Sequence, residues 1–271
     1  MSKKLKMLSF YFYLLLLTIL LLGTTLISTI RATVLRPNYI INNLEKINYY
    51  DKVYNSINEE MQNYLIQSGL TSEVLSNIYT KEDIKNSLNN AIYTFYNNKK
   101  VSVDTNNVKT NLEDNINNYL IKHNIVITEK EGLDLFVKQM EEIYTNEIMI
   151  SSKINNFNVY LAKVIKLADI AIIVLGITTL VLLVFGYFFY RKNVLTISLA
   201  SAGELLVLSN YLLFNKIDVK NILFWSDNIS LVIKTVIQDM SSKIYFLGFS
   251  FIISAIIIEI VYYITRKNKV R

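Results

Sequence analysis

The sequence predicts an all-α membrane protein with four transmembrane helices and an extracytoplasmic helical-bundle domain between the first and second. Three observations predict it. Of 271 residues, 52% are apolar and only 18% charged, and the mean hydropathy of +0.31 is too high for an ordinary soluble domain of this size. The apolar residues gather into four long runs. About 130 residues with polar helical patterning separate the first two runs, enough to bury a core of their own. The chain has no Cys and a single His, so it holds no disulfide, thiolate metal site, iron–sulfur cluster or cysteine nucleophile. No cofactor is expected.

The first run, residues 8–30, is free of charge and follows a basic start (1–7) carrying Lys3, Lys4 and Lys6. A cleaved signal peptide is the competing reading, but signal cores hold roughly 7–15 apolar residues and end in a small-x-small site. This run is longer and leaves through Ser28-Thr29-Ile30-Arg31-Ala32, so an uncleaved signal anchor is expected. The other runs cover 168–190, 194–214 and 244–265. At a rise of 1.5 Å per residue, each crosses a hydrocarbon layer of roughly 30 Å. The third is the least apolar, because it carries Glu204 and several small polar residues. Residues 191–193 make a short turn between the second and third.

Basic residues near the span ends set the orientation. Lys3, Lys4 and Lys6, then Arg191 and Lys192, then Arg266, Lys267, Lys269 and Arg271 all fall on one side if the chain crosses four times. That side is cytoplasmic, so both termini, the turn and the 266–271 tail lie inside a plasma membrane. Arg31 and Arg36 oppose this and are outnumbered. Residues 31–167 and 215–243 then lie outside. This partition accounts for the net charge of +6: the inner ends contribute +9, the outer segments cancel, and Asp169, Glu204 and Glu259 in the spans contribute −3. The basic excess is thus a topology signal that complements the lipid bilayer, and it leaves no basic face for nucleic acid.

The segment 31–167 reads as helical nearly throughout. Ile40, Ile41, Leu44 and Ile47, then Val53, Tyr54, Ile57, Met61, Tyr64 and Leu65, recur at helix spacing from Asn38 to about Gln67, and Ser68-Gly69 closes the stretch. A short helix is expected over 72–78. Thr80-Lys81-Glu82-Asp83 opens the next, which Asn97-Asn98-Lys99-Lys100 breaks. Val101-Ser102-Val103 is an extended link, and Asp104 or Thr105 caps a helix through Leu120. Thr128 to Glu131 has capping-box spacing. No Pro or Gly occurs from Leu133 to Leu175, so one helix is expected to run into the second span. Paired asparagines at 42–43, 89–90, 97–98, 106–107, 117–118 and 155–156 read as compositional bias, not as a carbohydrate surface.

The pieces Tyr49-Tyr50-Asp51-Lys52-Val53-Tyr54, Gln67-Ser68-Gly69-Leu70 and Tyr79-Thr80-Lys81-Glu82-Asp83-Ile84 follow the anchor in this order. Over roughly residues 1–190 the chain resembles uncharacterised multi-span membrane proteins of clostridia and related Firmicutes. The resemblance implies a Gram-positive plasma-membrane protein with an all-helical extracytoplasmic domain. It implies no activity, substrate or catalytic residue.

Glu204 is the sharpest candidate. A charged carboxylate near mid-bilayer costs at least about 2.5–3.5 kcal/mol on insertion scales. Ser198 and Ala202 before it have small-xxx-small spacing that admits a neighbouring helix. Glu204 is either an ion, proton or partner site, or a hydrogen-bonded residue that holds the bundle. Glu259, seven residues before Arg266, shares a cavity with Glu204 if the helices are neighbours, or reaches the inner headgroups. Asp169 reads as interfacial, beside Lys166. His123 stands alone and supports no mechanism. Residues 228–240 place Ile229, Val232, Ile233, Val236, Ile237 and Met240 on one face beside Trp225, as an amphipathic helix that lies in the interface or packs under the outer domain. Trp225, Arg191, Lys192, Arg266 and Lys267 are the expected interface anchors.

No hydrolase, phosphate-loop or dinucleotide motif occurs. The expected function is a non-enzymatic accessory, sensory or scaffold subunit that binds a protein partner through the helical outer domain. The alternative is a small-solute or ion pathway using Glu204 with Glu259, which requires a homo-oligomer because four helices enclose little.

Overall fold

In the computed structural model, which describes residues 3–126, 130–149, 157–190, 192–216 and 227–268, every regular element among the described residues is helical. The order is α1 (Lys3–Ala32), α2 (Pro37–Lys46), α3 (Tyr49–Ser68), a 3-10 turn (Ser72–Leu75), α4 (Lys81–Tyr96), α5 (Asn106–Lys122), α6 (Lys130–Ile148), α7 (Phe157–Tyr190), α8 (Lys192–Lys216) and α9 (Asp227–Asn268). Four are long and apolar enough to cross a membrane, over Lys4–Ala32, Asn158–Phe189, Val194–Leu212 and Ser230–Thr265. The described residues are thus all-helical, with four helices of the length and apolarity of a multi-pass membrane protein. Two compact units form, one from Met1–Tyr39 with Lys163–Arg271 and one from Ile40–Ala162.

In the unit 40–162, apolar residues at helix spacing form the core. Val53, Ile57, Met61 and Leu65 of α3 meet Phe136, Val137, Met140, Tyr144 and Ile148 of α6, with Ile84 and Leu88 of α4 against both. Thr80 caps α4 by a reciprocal pair: its Oγ1 accepts from Asp83 N at 3.1 Å, and its own N–H donates to Asp83 Oδ2 at 2.8 Å. Gly69 closes α3 at φ 75°, a left-handed conformation that suits glycine. Buried phenols are hydrogen-bonded: Tyr50 donates to Asn89 at 2.7 Å and Tyr79 to Asn58 at 2.6 Å. Asn115 Nδ2 donates to the carbonyls of Val74 and Ser76, and Asn111 Nδ2 to that of Ile78, so α5 holds the turn segment by its backbone.

Four expectations change. The stretch 38–67 is two helices, because Asn48 adopts φ 53° between α2 and α3. The helix expected over 72–78 is a single 3-10 turn, since Ser76 is extended and Asn77 left-handed at φ 56°. The long helix from Leu133 does not continue into the second span: α6 stops at Ile148, its last buried residue, and α7 starts at Phe157. Lack of Pro and Gly was therefore no guarantee of one continuous helix. The amphipathic segment 228–240 is not a separate helix either. It is the first part of α9, and one buried stripe (Val236, Ile244, Gly248, Ala255) passes from this segment into the span without a break. The capping box expected from Thr128 lies outside the described residues.

The asparagines do more than reflect composition. The non-glycine residues with positive φ among those described are Asn48, Asn77, Asn98 and Asn124, each at a helix end or turn. Asn tolerates this conformation better than other non-glycine residues because its short amide bonds locally. In a chain with seven glycines, asparagine takes over their punctuating role.

Burial raises the phenol pKa of Tyr50 and Tyr96 to about 12, and raises Tyr49 and Tyr79 as well. The unfolded chain gives up these protons near the ordinary value of about 10. Stability from the buried neutral phenols is thus present below pH 10 and lost as pH climbs toward 12. Alkaline titration of the full chain should show exposed tyrosines ionising first and a second rise in phenolate absorbance coinciding with partial loss of helical circular dichroism. A single phenolate step with helix intact would contradict the buried core.

Candidate functional site

In the unit of Met1–Tyr39 with Lys163–Arg271, α8 buries the residues Val194, Ser198, Ala202, Leu206 and Asn210, one every four positions. This ridge packs on α1 and α9. From α1 come Tyr13, Leu14, Leu17 and Leu21, which cluster with Val194, Ala202, Leu199 and Phe251. Against α9 the contact is made by backbone. A Cβ on Gly203 would lie 2.6 Å from the Gly248 carbonyl oxygen and 2.8 Å from Ile252, and one on Gly248 would lie 2.8 Å from Val207. The two glycines let the helices touch directly, as small residues do where lipid gives no hydrophobic drive to association. Farther along, Ser241 Oγ donates to the buried Asn210 Oδ1 at 3.0 Å.

The crossing sets the level of every charged residue in these antiparallel helices. Glu204 sits beside it, twelve residues from either end of α8, about 18 Å by helix rise. Eleven residues before Gly203 is Lys192, and eleven after Gly248 is Glu259. Glu259 is therefore level with the start of α8, about 16 Å below the crossing. The two carboxylates share no cavity. Toward the other end Asp239 receives the Tyr39 hydroxyl at 2.6 Å and pairs with Lys243 at 2.9 Å, while the Lys243 ammonium lies 4.1 Å from the Tyr39 ring. Asp169 pairs with Arg31 of α1, not Lys166, with Nε to Oδ1 at 2.6 Å.

Glu204 itself is exposed at the rim of the α8–α9 contact and makes no hydrogen bond or ion pair among the described residues. It borders a hollow of about 690 Å³ with Ser201, Leu205, Leu208, Tyr211, Tyr245 and Ile252. Tyr211 and Tyr245 also line a second hollow of about 720 Å³ reaching Asn210 and Ser241, so the two form one trough. Ser198 and Ala202 are fully buried on the neighbouring face, and the Ser198 hydroxyl has no hydrogen-bond partner there. A further groove of about 720 Å³ runs between α1 and α9, sharing Ser242 and Phe246 with the trough and edged by Thr24, Thr25, Ser28, Thr29 and Thr33 and by Asp239 and Lys243. Its threonine hydroxyls bond back to carbonyls one turn earlier, from Leu20 to Thr29, and are satisfied within α1.

Helix α7 is the least buried of the four, as befits a lipid-facing span, though Gly186 lies closely under the Tyr13 ring. Its ties to α1 are the Tyr13 hydroxyl on the Leu182 carbonyl, Thr24 to Thr179 at 3.3 Å, and the Arg31–Asp169 pair. Of the expected anchors, Lys192 begins α8 and Arg266 and Lys267 lie in the last turn of α9, whereas Arg191 and Trp225 lie outside the described residues. His123 caps the end of α5 with its ring 4.4 Å from that of Tyr119, exposed. No group of three or more His, Asp or Glu among the described residues is placed to hold a metal ion. Sequence reading singled out Glu204 but missed Gly203, Gly248 and the two tyrosines. A glycine beside small residues on one span, and another mid-way along the next, was the available signal. No protein-family model matches the chain, and neither a curated protein nor a solved structure is similar to it.

Gly203→Ala should lower stability in detergent by about 1–3 kcal/mol, because the methyl meets backbone that cannot yield without moving α9. Gly176→Ala on α7, where an added methyl meets nothing within 4 Å, should leave the melting temperature unchanged. Equal behaviour of the two variants would refute the backbone crossing.

Proposed function

We propose that this chain is a non-enzymatic, multi-pass plasma-membrane protein, an accessory, sensory or scaffold subunit that holds a protein partner. Both termini are cytoplasmic in this reading, and the helical unit 40–162 is the extracytoplasmic domain that contributes to partner contact. The lysine and arginine distribution supports the orientation. The observation that carries the functional reading is Glu204, a carboxylate midway along a span, exposed beside a polar-edged trough and unpaired among the described residues. A side chain so costly in hydrocarbon is accounted for by a protein surface that covers it. The pathway alternative needs copies arranged with Glu204 facing a shared lumen, since Glu259 lies at another level and a single copy does not join them.

The chain has no cysteine, so single-cysteine variants report topology directly. Ser102→Cys should react with an impermeant maleimide in intact cells, and Lys4→Cys only after permeabilisation. The reverse pattern would overturn the orientation. Crosslinking in native membranes followed by mass spectrometry should return one partner in stoichiometric amount. Recovery of self-crosslinked copies alone would favour the pathway.

A further inference from the structure

We infer that the trough beside Glu204 docks a transmembrane helix of another protein, one that carries a lysine or arginine at mid-membrane depth. The inference rests on the accessory-subunit reading and names the chemistry of its partner. Three features point to it.

The trough has the length of a helix contact. Ser201 to Tyr211 covers eleven residues of α8, ten rises of 1.5 Å or about 15 Å, nearly three turns. Its charge is one-sided: Glu204 has no cation among the described residues, and the other polar groups along it are hydroxyls and an amide, from Ser201, Tyr211, Tyr245 and Asn210. A donor of positive charge complements that arrangement, and a purely apolar helix leaves the carboxylate unanswered.

The third feature excludes a second copy as the source of that charge. Lys4, Lys6 and Arg31 in α1, Lys163 and Lys166 in α7 and Lys234 in α9 lie toward the ends of their spans, none falls between Val194 and Leu212, and Lys243, five residues from Gly248 and so about 7 Å from the level of the crossing, is paired with Asp239. Arg31 is bonded to Asp169. The cation that a second copy brings nearest to the depth of Glu204 is therefore Lys243, which its own Asp239 already holds. Its matching trough would bring another carboxylate.

The probe is a set of poly-leucine helices of about 23 residues, long enough to span, with Lys, Leu or Glu at the central position. Full-length protein with a photo-crosslinking residue in place of Leu208 is reconstituted with each in phosphatidylcholine vesicles. The lysine helix should be labelled about tenfold more than the leucine helix. Glu204→Gln should remove that preference, Glu204→Asp should keep it, and Glu204→Lys should transfer it to the glutamate helix. A crosslinker at Ile173 on α7 should show no preference among the peptides. Equal labelling of the lysine and leucine helices, persistence in a folded Glu204→Gln protein, or self-crosslinks displacing the peptide would overturn the inference. If Glu204→Gln fails to fold, the Glu204→Asp and peptide comparisons on unaltered Glu204 still decide it. The two readings fail separately: native membranes without a partner refute the accessory role even where the lysine helix docks, and a captured partner without charge preference refutes only the basic helix.

Discussion

The backbone contact between Gly203 and Gly248 is the constraint on which the span unit depends. A Cβ at either position would meet the facing helix at 2.6–2.8 Å, closer than van der Waals contact allows, so α8 and α9 would have to move apart. With both absent, the helices lock in one register, and that register brings Ser241 to Asn210 and places Leu206 and Val207 against α9. Lipid tails are as apolar as leucine, so burial alone does not hold helices together in a bilayer, and close van der Waals contact with buried hydrogen bonds has to do so. The same register leaves the ridge from Val194 to Asn210 free to take the α1 residues Tyr13, Leu14 and Leu17 on its other flank. α7 lacks such a ridge and is held by side-chain ties to α1.

The unit 40–162 solves the same assembly problem with opposite means. Its helices are short, and each buries one apolar stripe at three- and four-residue spacing, the arrangement that water drives. What fixes the helices against each other is a set of asparagine and tyrosine bonds: Asn58 to Tyr79, Asn89 to Tyr50, and Asn111 and Asn115 to the backbone around the 3-10 turn. Further asparagines end the helices in left-handed conformation. One residue type thus serves both as brace and as punctuation, where glycine is scarce.

Period and length made much of this legible in the sequence. The four apolar runs matched α1, α7, α8 and α9, the 80–83 cap matched Thr80 and Asp83, and Ser68-Gly69 ended α3. Helix joints were not legible, because a break at Asn48 or Ile148 comes from backbone conformation and from where burial stops, and neither leaves a Pro or Gly behind. Continuity was missed in the reverse sense at α9, where the amphipathic segment 228–240 and the apolar run 244–265 read as two elements, while Asp239 and Lys243 form an i,i+4 pair within a single helix. At the site, composition exposed Glu204, but the glycine contact beside it depends on two segments 45 positions apart in the chain.

The neighbouring positions 203 and 204 show why the carboxylate is not a product of the fold. Successive residues of a helix point about 100° apart. Once position 203 faces α9 at backbone contact, position 204 falls on the rim of that contact, whatever residue it holds. Leucine meets such a site without cost, as Leu205 and Leu208 do on the same surface. Polar groups that the packing does use are small or amide side chains within the ridge, Ser198 and Asn210, and they sit inside it. Glu204 serves none of those contacts. A carboxylate at a position where the fold asks only for something apolar is what the proposed basic partner helix accounts for.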